Sequence, residues 1–144
     1  MKDERQFVGY SKYRSRLVDG HVHTELCPHG SGDRTAMMIE KAIELRIEKV
    51  CLTEHAPLPT AFAAEYGGDK KAYDTASLKL NQVDAYLELG RQLQRAYGTH
   101  IDISLGFEVD YIPGFESDIQ EFLDRYGPLT DDNILSVHFM EGVN

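Results

Sequence analysis

Four short apolar runs recur along this chain, and each one hands over to an imidazole or a carboxylate. Leu17-Val18 leads to His21 and His23, and Lys49-Val50-Cys51-Leu52-Thr53 leads to Glu54 and His55. The alternating run Ile101 to Phe107 delivers Glu108, and Asn133-Ile134-Leu135-Ser136-Val137 delivers His138. Runs of this length, rich in β-branched residues, read as strands. Between them lie segments of helical period. Met38, Ile39, Ala42, Ile43 and Leu45 repeat every three or four residues from Asp33 to Arg46, with Asp33 or Thr35 as the expected N-cap. Leu80, Val83, Leu87, Gly90 and Leu93 mark a second helical face that Gly98 closes, and Phe115, Ile119, Phe122, Leu123 and Tyr126 mark a third. Strand and helix in strict alternation require crossover connections, hence a parallel sheet and an α/β fold. The polar residues then fall at the carboxyl ends of successive strands, which is where β/α barrels carry their chemistry.

Two segments stand outside this alternation. Residues 1–16 are charged, with Phe7, Tyr10 and Tyr13 in no period, and read as an extension before a domain of residues 17–144. From Thr60 to Ser77, mixed charge and Gly67-Gly68 indicate a long loop or broken helix, a length that in a compact domain usually serves function.

Charge narrows the partners. With 24 acidic against 15 basic side chains, the formal charge is −9, which opposes binding of a nucleic-acid backbone. No apolar run approaches a membrane span, and the first residues lack a signal-peptide core, so the expected location is the cytoplasm with no membrane partner. Two cysteines fit a reducing compartment: Cys51 in an apolar run reads as a buried hydrophobe, and Cys27 lies between candidate ligands.

The densest chemistry is in Asp19-Gly-His-Val-His-Thr-Glu-Leu-Cys-Pro-His-Gly30, which holds half of the chain's six histidines. On an extended strand His21 and His23 point to one face, and His29 follows in a loop opened by Pro28 and Gly30. Imidazole is the commonest metal ligand among side chains. Five histidines set against one favoured carboxylate suit a multinuclear metal site better than a proton relay, with Glu108 able to bridge two ions. There is no Gly-x-Ser-x-Gly elbow or phosphate-cradling glycine loop. Asp19, sharing strand parity with His21, and the strand-end carboxylates Glu54 and Asp110 are candidates to orient imidazoles rather than to bind metal. His100 precedes its strand, at the wrong end of the barrel, and reads as solvated.

Taken as an ordered set, Asp19-Gly-His-x-His, His29, Thr53-Glu-His-Ala-Pro, Gly106-Phe-Glu-Val-Asp-Tyr and Ser136-Val-His-Phe resemble the polymerase and histidinol phosphatase (PHP) family, specifically its histidinol-phosphatase branch. The resemblance runs from about Leu17 to the C-terminus. It implies about four strands of a distorted seven-stranded β/α barrel and up to three ions of zinc, iron or manganese. By motif match, His21, His23 and Glu108 would hold one ion, Glu108 would bridge to a second held by His138, and His29 with His55 would hold a third. Glu108 and His138 would then act in catalysis through the metal centre. The implied reaction is hydrolysis of L-histidinol phosphate to L-histidinol and phosphate, in histidine biosynthesis, on a small phosphorylated substrate.

A complete β/α barrel needs roughly 200–250 residues, and this sequence reaches only its fourth strand. The expectation is therefore a truncated domain, the C-terminal half of a PHP barrel being absent, with an open sheet edge available for self-association. Two alternatives accompany the hydrolase reading: an inactive metal-binding or partner-binding half-barrel, and a PHP phosphoesterase with another substrate.

Overall fold

The computed structural model describes residues 16–65, 67 and 69–139, so most of the N-terminal extension, Phe7, Tyr10 and Tyr13 included, lies outside the described residues. Four strands, β1 (Val18–Val22), β2 (Lys49–His55), β3 (Asp102–Asp110) and β4 (Ile134–Ser136), form one sheet in the order β1-β2-β3-β4. Every neighbouring pair is parallel. Sequential order means that each crossover steps the same way, so right-handed connections put all helices on one face. That is the winding of a barrel, and it leaves the opposite face of this partial β/α barrel for side chains of its own.

The covering helices are α1 (Thr35–Glu44), the short α2 (Phe62–Glu65) and α3 (Lys70–Asp74), then α4 (Val83–Tyr97) and α5 (Glu116–Tyr126). Ile39, Leu52, Leu78, Val83, Tyr86, Leu105 and Phe107, all fully buried, form the centre of the core between sheet and helices. β2 and β3 are buried along nearly their whole length, the burial expected of central parallel strands. Gly90 lets α4 approach closely: a Cβ there would overlap the methyl groups of Leu105.

Three details of the sequence reading change. Neither Asp33 nor Thr35 caps α1; Thr35 is its first residue, and its N–H donates to the Glu25 carboxylate at 2.5 Å while its hydroxyl accepts from the Glu25 N–H at 3.1 Å. The cap therefore comes from the preceding loop, ten residues away, which no local pattern reveals. Leu80 does not share the buried face of α4 but sits exposed in a 3-10 turn (Leu80–Gln82), and Tyr86 takes its place in the core. Leu45 is exposed beyond the end of α1, where Arg46 adopts φ 59°. The Arg46 N–H donates to Ile43 O and the Ile47 N–H to Ala42 O, closing the helix in a Schellman turn without glycine.

β4 pairs with β3 over Glu108–Asp110 only. Upstream, side chains supplement a backbone bond from the Asp131 N–H to Leu105 O (2.7 Å): the Asp131 carboxylate accepts from the Leu105 N–H at 2.9 Å, and the Asn133 side-chain carbonyl accepts from the Phe107 N–H at 2.9 Å. The approach is so close that a Cβ on Gly106 would collide with the Asp132 carbonyl oxygen. No helix among the described residues is long and apolar enough to cross a membrane.

Candidate metal centre

Register and pleat together build the site. Thr53 pairs with Gly106 and His55 with Glu108, so the carboxyl ends of β2 and β3 are level. Alternation puts Thr53 and His55 on the face opposite the Leu52 core contact, together with Glu108 and Asp110. Tyr86, reaching from α4, ties the two strands just below this rim. Its hydroxyl accepts from the Glu54 N–H at 3.3 Å and lies 2.9 Å from Leu52 O and 2.6 Å from Gly106 O. Burial pushes this phenol far up from its ordinary value, keeping it a neutral donor.

Glu108 is the hub. Its Oε2 lies 3.4 Å from His21 Nε2, 3.3 Å from His23 Nε2 and 3.1 Å from His55 Nδ1, while its Oε1 lies 3.5 Å from His138 Nε2. His21 Nε2 and His23 Nε2 are 3.2 Å apart. His29 folds back over the same rim, its ring centroid 4.9 Å from that of His55. All six residues expected from sequence as ligands therefore meet at one strand-end rim.

The imidazoles are held from behind. His23 Nδ1 donates to Glu54 Oε1 at 3.1 Å, His138 Nδ1 to Asp110 Oδ1 at 2.7 Å, and His29 Nδ1 to the Thr75 carbonyl at 2.8 Å. His21 Nδ1 lies 2.9 Å from the Thr53 hydroxyl. Each arrangement leaves Nε2 for the centre, the orientation that metal-binding imidazoles take when a backing group fixes the ring. Glu54 and Asp110 thus stand in the orienting positions considered from sequence, whereas Asp19 is exposed on β1 and backs none of these rings. Thr53 and Thr75 escape the sequence reading. Thr53 shares strand parity with His55 and is legible in principle; Thr75 acts through its backbone carbonyl, which carries no residue signature. His100 is exposed at the opposite end of the strands, in a groove with Arg16 and Asp102.

Glu54 is fully buried. Burial alone would raise its carboxyl, but hydrogen bonds from His23, from the Thr24 hydroxyl and N–H at 2.7 and 2.8 Å, and from the His55 N–H hold it below its ordinary value. The same bond from Glu54 raises His23. Burial lowers His55 against the opposing pull of Glu108, favouring the neutral imidazole that binds metal.

Two features of this set suit cations. Ligands at about 2.1 Å in a tetrahedral zinc site lie about 3.4 Å from one another, and the separations among His21, His23 and Glu108 are 3.2–3.4 Å. Second, His55 Nδ1 and Glu108 Oε2 are buried 3.1 Å apart, yet neither makes a hydrogen bond to the other or to any other described residue. Orphaned polar atoms of this kind are costly unless something else satisfies them. Three trios have ligand atoms mutually within 4.8 Å: His21, His23 and Glu108; His55, Asp110 and His138; and His23, Cys27 and His55.

A singly wound parallel sheet whose strand ends bring four imidazoles around one carboxylate, with a fifth beside them, defines the class: a β/α-barrel domain whose strand-end rim offers donors for divalent metal. The chain belongs to the PHP domain family, whose model matches residues 19–143. Among curated proteins it is 41% identical over 122 residues to histidinol-phosphatase of Bacillus subtilis (strain 168), a match covering 85% of this chain and 44% of that protein. A crystal structure from Listeria monocytogenes, named for histidinol phosphatase hisK, superposes with a TM-score of 0.85 at 44% identity, covering 87% of this chain and 46% of the other. Histidinol phosphate phosphatase from Lactococcus lactis, crystallised with zinc, L-histidinol and phosphate, superposes with a TM-score of 0.65 at 26% identity, covering 88% of this chain and 41% of that one. The chain spans less than half the length of each of these relatives.

Proposed function

We propose that this chain is the N-terminal, metal-holding portion of a phosphomonoester hydrolase of the histidinol-phosphatase branch, acting on L-histidinol phosphate to give L-histidinol and phosphate in histidine biosynthesis. The observation that carries the reading is Glu108, one buried carboxylate within 3.5 Å of imidazoles from β1, β2 and the end of β4. It is supported by the 41% identity to a curated histidinol-phosphatase and by the relative crystallised with zinc, L-histidinol and phosphate.

His21, His23 and Glu108 would hold one cation, Glu108 and His138 a second, and His55 with His29 a third, the ions being zinc, iron or manganese. Divalent cations at such a centre neutralise a phosphate ester and acidify water enough for attack at neutral pH. The protein's own part is positional. Glu54, Asp110, Thr53 and the Thr75 carbonyl fix the four backed rings. The half-exposed His21 and His138 face the solvent side from which a small phosphorylated substrate enters.

The test is calorimetric titration of the purified chain with zinc or manganese, alongside release of phosphate from L-histidinol phosphate with and without chelator. Binding of divalent ions that Glu108→Gln weakens, with chelator-sensitive phosphate release, is the expected result. A folded chain that binds no divalent ion overturns the reading. Binding without release favours the second reading, a metal-binding half-barrel without turnover, for which the observation is that each trio supplies only three ligands.

A further inference from the structure

One stretch of the connection from β2 to β3 touches both histidines read as holding the third cation. Thr75 closes α3, its N–H and its hydroxyl donating to Lys71 O at 3.2 and 3.0 Å, and this fixes the residue whose carbonyl accepts from His29 Nδ1 at 2.8 Å. Three residues on, the Leu78 N–H donates to His55 O at 3.3 Å. Between them the buried Ser77 hydroxyl accepts from the Leu58 N–H at 3.4 Å and donates to Leu78 O at 3.2 Å. His29 is thus held by its ring and His55 by its main chain, with the two ring centroids 4.9 Å apart.

Both ends of this stretch are anchored. Leu78 is fully buried in the main core, and the Tyr73 ring lies 6.0 Å from that of Phe62. Phe62 packs in turn on Phe115 and on Phe139, the residue after His138, at centroid separations of 5.4 and 5.1 Å. Lys70 and Lys71, just upstream on α3, are exposed.

The bond from His29 to Thr75 couples this stretch to a cation. A cation on Nε2 draws charge from the imidazole and makes the Nδ1–H a stronger, charge-assisted donor. The carbonyl in return raises the basicity of the ring. Backing groups of this kind contribute about 10–100-fold in metal affinity. Linkage is reciprocal, so a cation on His29 holds the backing segment in place by the same factor.

We propose that residues 73–78 form a positioning strap for the His29–His55 pair, and that cation binding at this pair and docking of the strap reinforce one another. The inference rests on the reading that these two histidines bind a cation, and adds the element that places them.

Trypsin reports opening of the strap, because the bonds after Lys70 and Lys71 lie within α3 and are cut when that helix opens locally. Saturating zinc should slow these cleavages in the whole chain by about 10–100-fold relative to cleavage after Arg95 in α4. The relative protection should vanish in His29→Ala, which keeps the other ligands for zinc. Ser77→Ala, shown to be folded by far-ultraviolet circular dichroism, should be cut faster than wild type in the presence of zinc. Calorimetric zinc binding without relative protection of Lys70 and Lys71 overturns this proposal alone, as does protection that persists in folded His29→Ala or a folded Ser77→Ala cut no faster than wild type. A chain that binds no zinc overturns the hydrolase reading as well.

Discussion

Glu54 shows how much one side chain can decide. It is fully buried, accepts four hydrogen bonds from Thr24, His23 and His55, and sets which nitrogen of His23 faces the centre. Carboxylates that back a metal-binding imidazole typically contribute 10–100-fold in affinity. Glu54→Gln should therefore lower zinc affinity by about 10–100-fold, measured calorimetrically, while the far-ultraviolet spectrum is retained. At this scale the sequence is informative wherever a residue type announces its chemistry. His21, His23, His55, Glu108 and His138 carry recognisable donors at strand ends, and all of them converge on the rim. It is silent where position matters more than type. A carbonyl at Thr75 and a hydroxyl at Tyr86 do their work through folding that brings distant segments together.

Among elements, the ends of strands and helices hold the surprises. The segment preceding β4 approaches β3 so closely that Gly106 admits no side chain. Gly106→Ala would force the Asp132 backbone away and break the Asp131 and Asn133 contacts, so a loss of more than about 4 kcal/mol is expected in urea unfolding. Gly20, on β1, has open space where a Cβ would stand, with nothing within 4 Å of that point, and Gly20→Ala should change stability by no more than about 0.5 kcal/mol. Arg46 occupies the left-handed position that glycine fills without strain. Arg46→Gly should stabilise the fold by about 1 kcal/mol, since that is the order of the left-handed penalty for a residue with a Cβ, read as a higher urea midpoint. Helical periodicity locates α1, α4 and α5 because it reports which face is apolar. It cannot report the cap that Glu25 supplies from the preceding loop, nor that Leu80 falls outside the helix whose period it shares.

For the molecule as a whole, the two outer strands are the exposed flank. Leu135 and Val137, at and just beyond β4, are 70% and 52% exposed, and Val18 on β1 is also exposed. Parallel strands are ordinarily covered on both faces and paired on both edges. Association of the chain, if it occurs, is expected to begin at the β4 edge. Leu135→Lys with Val137→Lys should reduce concentration-dependent association, followed by light scattering, without loss of zinc binding, because neither side chain touches the rings around Glu108. That the sheet would be partial is legible from length set against the size of a barrel, and the strand order follows from alternation of strand and helix. The edge chemistry is not, because solvent exposure of Leu135 depends on what stands beside it and not on its own identity.

The strictly sequential strand order also bears on how such a sheet is made. As the chain leaves the ribosome, each new strand finds its partner already synthesised and folded beside it, so assembly can proceed vectorially without waiting for a distant segment. A sheet wound in this way lengthens by whole strand-and-helix modules, and every module added buries the previous border while presenting a fresh one of the same kind.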